Sequence, residues 1–242
     1  MASVRRDSEQ GVVLGSVAFG EDSRVVRVLT HGLGVVAIWV PGGGGRKGRN
    51  MGLWQPLSLL DFSDLSRKGS EGLFRFKEVR RPHLHVRIPH EVPRSAVAFF
   101  LAELVSKTLP EDTPHPEIAQ ALWQTTLALD SEPHIAWLHV VFLARLVQLL
   151  GLAPMEPPSL RHGLSWRTGE WIWEPLRDED HLEPDLAHRW AALCAHGDLS
   201  ALAGCQAKDR KALLVGPLRY LRHQMGAPTG LKSLSVLEEL FS

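Results

Sequence analysis

Three cations fall within four residues at the end of a glycine-rich run, Pro41-Gly42-Gly43-Gly44-Gly45-Arg46-Lys47-Gly48-Arg49-Asn50. Glycine opens backbone angles closed to other residues, and guanidinium and ammonium groups offer charge-assisted hydrogen bonds to phosphate oxygens. This chemistry suits contact with an anionic polymer; a solvated hairpin tip is the other reading of the same residues. Two sharper phosphate motifs fail here. Gly43, Gly45 and Gly48 have dinucleotide-loop spacing, but such a turn must open directly into a helix, and Pro56 interrupts the following segment. A nucleoside-triphosphate loop would close on Gly-Lys-Ser/Thr, whereas this one closes on Gly48-Arg49-Asn50.

The charge balance points the same way. The 27 basic and 27 acidic residues cancel overall, yet residues 1–95 hold 15 Lys and Arg against 9 Asp and Glu, and residues 96–242 hold 12 against 18. The halves are therefore +6 and −6, an asymmetry expected when one half meets an anionic partner. Candidate phosphate contacts are Arg24, Arg27, Arg46, Lys47, Arg49, Arg75, Lys77, Arg80 and Arg81. Trp39 and Trp54 flank the loop and either stack on bases or pack in a core.

Other chemistries find little support. No Gly-x-Ser-x-Gly elbow is present, so no nucleophile is assigned and no catalytic residue is expected. Ten residues separate Cys194 from Cys205 and there is no Cys-x-x-Cys pair, which argues against a thiolate metal site or a disulfide framework. His181, Asp185 and His188 have roughly one-turn spacing, but Pro184 disturbs the register; His83 and His85 would share one face of a strand. Surface histidines are the preferred reading, with no metal and no cofactor expected. The first ten residues are polar, without the apolar core of a secretory signal. The apolar stretch 135–152 is interrupted by His139, Arg145 and Gln148, so a buried helix of a cytoplasmic protein is expected rather than a membrane span.

The elements that would position the cations divide into two styles. Strand-like runs occupy 11–19, 23–30, 33–40, 53–62, 73–80 and 83–88, with His31-Gly32 as a tight turn, and such a density of short strands predicts a small barrel. Alternation in 73–80 places Phe74 and Phe76 on one face and Arg75 and Lys77 on the other. From Pro93 the pattern becomes helical: a first helix ending before Pro110, a second over 116–130, and a third over 134–150 that is apolar on nearly every side and so central. Residues 164–173 alternate around Thr168-Gly169 and predict a hairpin whose three tryptophans close a small core. Further helices are predicted over 184–196, over 207–225 with Gly216-Pro217 kinking or splitting it, and over 233–241.

The succession of several strings resembles the RecO family of bacterial recombination mediators. These are Gly11-Val12-Val13-Leu14, the run from Glu21 to Thr30 with Gly32 and Gly34, the basic glycine loop, and Leu53-Trp54-Gln55-Pro56-Leu57. Further along come Phe142 to Leu146, Leu150 to Pro154, and Leu231 to Leu237. The resemblance implies an α+β fold: an N-terminal OB-fold β-barrel over residues 1–90, then an α-helical domain over 91–242 with a small β-hairpin insertion. It further implies a non-enzymatic protein of the cytoplasm, associated with the nucleoid. Such a protein binds single- and double-stranded DNA, anneals complementary strands, and works with RecR and the single-strand binding protein to load RecA. Many members carry a four-cysteine zinc module after the central helix; here residues 155–176, with the tryptophan hairpin and no cysteine, stand in its place. The resemblance further implies a single-strand binding protein whose tail is acidic and ends in an aromatic residue, so its receptor should combine an apolar pocket with a cation. Arg145, Arg219, Arg222 and Lys232 are the candidates. The alternatives are an OB-fold RNA-binding protein of translation or ribosome assembly, since nothing in the residues separates RNA from DNA, and a hydrolase.

Overall fold

The computed structural model describes residues 5–20, 23–42, 52–67, 72–173, 180–197 and 199–241. It divides into two compact units, Met1–Ser131 and Glu132–Ser242.

The first unit is built on β1 (Arg5–Phe19), β2 (Ser23–Thr30), β3 (Gly34–Pro41), β4 (Leu59–Arg67), β5 (Phe74–Arg75) and β6 (Glu78–Arg80). Strand β1 is long enough to pair twice: residues 11–19 run antiparallel to β2, and residues 5–12 run antiparallel to β4. The sheet order β1-β2-β3-β5-β4 therefore returns to β1 and closes a five-stranded ring, with β3 and β5 parallel and β6 added on β4. Closure removes the exposed edges that an open sheet would carry. Two features let β1 turn the corner. The register slips between Val13 and Gly15, and at Gly11 a Cβ would stand 2.4 Å from Val28 Cγ1. Inward-facing Val13, Val26, Val28, Val36, Ile38, Leu60, Phe62, Leu65 and Phe74 fill the ring with Trp54. Alternation on β2 and β3 is thus period two, as a sheet with one packed face requires.

Helices α1 (Val92–Thr108) and α2 (Pro116–Ser131) complete this unit. Arg94 on α1 is 1% exposed. Its Nε reaches Glu91 at 2.7 Å, and its Nη1 donates to the Leu129 carbonyl of α2. A buried guanidinium satisfied in this way ties the two helices together, and losing a partner would leave an uncompensated charge.

Three strand predictions need correction. Residues 53–62 do not form one strand: 52–54 make a 3-10 turn, Leu57 takes φ 61, and β4 starts at Leu59. Residues 73–80 break into β5 and β6. The predicted strand 83–88 is irregular, because the Asp130 carboxylate accepts hydrogen bonds from the Val86, Arg87 and Ile88 N–H groups at 2.8–3.1 Å and takes the place of a ladder partner. Burial works to raise the Asp130 carboxyl, yet those N–H groups and His83 outweigh it and hold it down at about 2.

The second unit holds α3 (Leu138–Leu149), α4 (Pro184–His196), α5 (Ala207–Met225) and α6 (Ser233–Phe241). A small sheet of β7 (Gly163–Ser165), β8 (Trp171–Ile172) and β9 (His181–Leu182) lies between α3 and α4 in the chain. The α+β order predicted from the residues is the one found, a closed sheet, then helices, then a small inserted sheet. The insertion is three-stranded rather than a hairpin, in the order β8-β7-β9. Helix α3 starts later than predicted, after a turn over 135–138, and buries His139, Val140, Phe142, Leu143, Ala144, Leu146 and Val147.

Nor do Gly216 and Pro217 split α5, which runs through both. A Cβ on Gly216 would stand 2.2 Å from the indole of Trp166. The glycine is therefore the notch that lets Trp166, 3% exposed, press onto the helix, while the same indole meets Trp190 edge-on at 6.0 Å between centroids. No helix is long and apolar enough to cross a membrane among the described residues.

Candidate nucleic-acid interface

Strand alternation sorts the cations of the first unit before any ligand is considered. On β2, Val26 and Val28 point inward, so Val25 and Arg27 point outward; on β3, Ile38 points inward and Trp39 outward. The register aligns Val17, Val25 and Trp39 in one row across β1-β2-β3, and Phe19, Ser23 and Pro41 in the next. Ile38 is opposite Phe74 in the parallel β3–β5 pair, which sets Arg75 beside Trp39 on the outer face. There the Arg75 guanidinium covers the Trp39 ring at 4.2 Å from its centroid. Val17 and Phe19 are 65% and 46% exposed. The outer face of β1-β2-β3-β5 thus carries apolar and aromatic surface with a stacked cation, the composition of a base-stacking platform.

The remaining candidates fall at different places. Arg24 has the inward parity of Val26 but lies at the ring's rim, where its Nη1 donates to Ser16 Oγ at 3.1 Å. It pairs with Val40, next to where β3 ends at Pro41 and the glycine-rich run begins. Arg46, Lys47 and Arg49 lie outside the described residues. Arg27 is turned to the last turn of α1 and the α1–α2 connection, 3.2 Å from Glu111 and 3.4 Å from the Ser106 carbonyl. Arg80 lies 3.4 Å from Glu78 and is 80% exposed. Lys77 is exposed and Arg81 half-buried, with Arg81 Nε buried and unpartnered among the described residues. Trp54 is 5% exposed and packs against Phe76 at 5.9 Å, so it belongs to the core. Trp39 and Arg75 are brought together; Arg27 and Arg80 each face a carboxylate.

Val17 and Phe19 were not evident as surface residues from the sequence. Their signal was present in the alternation from Gly15 to Phe19, but deciding which parity faces out required the bulge between Val13 and Gly15.

In the second unit, Arg145 is exposed on α3 and donates to Gln148. Arg219 lies 3.1 Å from Asp180. Arg222 is exposed in the last turn of α5, and Lys232 is exposed just before α6. None of these four belongs to the cavity of about 280 Å3 lined by His139, Lys208, Arg210, Lys211, Leu214, Leu237, Glu238 and Phe241, where Lys211 lies 3.6 Å from Glu238. Arg210 stacks 4.7 Å from Trp137 and donates to the Phe241 carbonyl at 2.7 Å. Burial lowers its pKa. Burial, with Arg210 adding, also lowers His139 to about 3, so this imidazole is neutral.

His181, Asp185 and His188 do not converge. His181 lies 3.2 Å from Glu183, Asp185 pairs with Arg189, and His188 Nε2 donates to the Ser159 carbonyl.

Comparison with known proteins gives these arrangements a family. Residues 2–81 match the family model described as Recombination protein O N terminal, and residues 89–156 match Recombination protein O C terminal. The chain is 28% identical to the DNA repair protein RecO of Bacteroides fragilis over 243 residues, covering 96% of this chain and 97% of that one. It is also 28% identical to the DNA repair protein RecO of Stenotrophomonas maltophilia strain R551-3, with 97% of each chain covered. With two successive domain models matched in order and relatives aligned from end to end, the chain belongs to the RecO family.

Proposed function

We propose that this protein is a DNA-binding mediator of recombinational repair that makes and breaks no covalent bond. In this reading it binds single- and double-stranded DNA and anneals complementary strands. Together with RecR it helps load RecA onto strands coated by the single-strand binding protein. Annealing requires that phosphate repulsion be neutralised while base edges stay free to pair. Cations on a sheet surface do this by releasing condensed counterions, and a stacking ring holds a base by its face alone. The observation that carries the reading is the Arg75–Trp39 stack on the outer face of β3 and β5. A base can stack on the free side of the guanidinium, whose N–H groups remain available to phosphate oxygens. The names of the relatives favour DNA over RNA.

The acidic tail of the single-strand binding protein is assigned to the second unit. Arg145, Arg219, Arg222 and Lys232 remain candidate contacts, and the cavity beside α5 and α6 supplies what such a tail needs. Leu214, Leu237 and Phe241 can receive an aromatic end, and Lys208 can meet its carboxylates, as can Lys211 on exchanging its ion pair with Glu238, 3.6 Å away on the same lining.

The test is annealing of complementary oligonucleotides, bare and coated with the single-strand binding protein. The protein should accelerate both, and a variant carrying Trp39→Ala with Arg75→Ala should lose most of the acceleration. Equal acceleration by the variant would sink the assignment of the outer face.

A further inference from the structure

One group of three ligand-type side chains converges among the described residues. His83, His85 and Asp130 each offer a ligand atom, and these atoms all lie within 4.8 Å of one another. We propose that this trio binds a divalent transition-metal ion of the zinc type, which would staple the segment between β6 and α1 to the C-terminal end of α2.

The case begins at His85. Its Nε2 lies 2.9 Å from the Leu57 carbonyl oxygen, which can only accept, so Nε2 carries the proton and Nδ1 the lone pair. Nδ1 is buried and has no hydrogen-bond partner among the described residues. A ligating histidine is held in this manner, with its second nitrogen donating to a carbonyl that fixes tautomer and ring orientation. The carbonyl is itself held. Leu57 is fully buried at φ 61, an unusual conformation for a bulky residue, and its N–H donates to the Val13 carbonyl at 2.8 Å. Burial also lowers the His85 pKa, favouring the neutral form that coordinates.

Asp130 supplies the anion. Its Oδ1 takes N–H groups from Val86, Arg87 and Ile88, whereas Oδ2 takes Val86 N–H and, at 3.3 Å, His83 Nε2. The carboxylate is thus oriented by backbone N–H groups through both oxygens, and Oδ2 is the one that also meets His83. Two ligand atoms on a tetrahedral zinc with bonds of about 2.0–2.2 Å stand roughly 3.3–3.5 Å apart. His83 and Asp130 already have that span, with a proton lying where the ion would sit. The His83 side chain is 38% exposed, so the proton can move to Nδ1 on the solvent side as the ion enters. A pivot of His85 about its Nε2 bond to the Leu57 carbonyl, starting with the three ligand atoms within 4.8 Å of one another, then closes the third bond. Water completes the fourth position. Two imidazoles with a single carboxylate favour zinc and its transition-metal neighbours over magnesium or calcium, which prefer oxygen throughout.

Chelator-treated full-length protein, titrated with Zn²⁺ against a chromogenic chelator, should take up one equivalent, and Co²⁺ in its place should give the visible absorption of a tetrahedral site. His83→Ala leaves the backbone bonds to Asp130 intact, and His85→Gln keeps a donor for the Leu57 carbonyl. Each should weaken uptake by about tenfold or more. His181→Ala and His188→Ala should leave it unchanged. Absence of stoichiometric uptake by the unmodified protein, or uptake that survives both His83→Ala and His85→Gln, would overturn the proposal.

Discussion

Arg75 lies over Trp39 although 35 residues separate them in the chain, because the parallel pairing of Ile38 with Phe74 puts the next residue of each strand on the outer face. The stack is a consequence of ring closure. Inward Phe74 and Ile38 fix the register by packing, and the same register brings the cation and the indole side by side.

Removing either member should be felt in single-strand binding. Trp39→Ala should weaken affinity for an oligonucleotide by about 1–3 kcal/mol, read from fluorescence anisotropy at fixed salt. Arg75→Ala should in addition make the dependence of log affinity on log salt shallower by roughly 0.7. A Trp54→Phe control should bind as the parent does, since that indole is in the core.

The glycine-rich run is tested by charge reversal at Arg46, Lys47 and Arg49 together. Binding to single strands should weaken, and the salt slope should fall by about 0.7 for every phosphate no longer neutralised. Titrations at four or five salt concentrations measure it; an unaltered slope would make the run a linker.

Gly216→Ala should destabilise the second unit. Alanine improves helix propensity by about 1 kcal/mol. The added methyl would nonetheless stand 2.2 Å from a buried indole held against Trp190. Overpacking of this kind costs roughly 1–3 kcal/mol or more, so the sign should be a loss in urea unfolding.

Acid should loosen the second unit before carboxylates titrate. His139 has a folded pKa of about 3 against 6.5 for the free side chain, so the unfolded chain binds the extra proton throughout that interval. Stability should be fully present above about pH 6.5 and fall by up to about 1.4 kcal/mol per pH unit as pH drops toward the folded value. His139→Phe should flatten this part of the profile in thermal melts taken from pH 7 to 4.

Much about this protein is written locally along the chain. Periodicity located most helices to within a residue or two, because proline openings and glycine exits are local signals: α2 from Pro116, α4 from Pro184 with Gly197 at its end. The basic bias of the first 95 residues, and the alternation of Phe74 and Arg75, were legible in the same way. Relations between distant positions were settled only by folding. Whether Arg27 was free or facing Glu111, whether Trp39 or Trp54 looked outward, and whether Gly216 broke a helix or received Trp166 all depended on which segments met. The same holds for His83, His85 and Asp130. A pair of histidines two residues apart says little until a carboxylate 45 residues further on binds the backbone that follows them, since chain spacing encodes a face of one element but not the element packed against it.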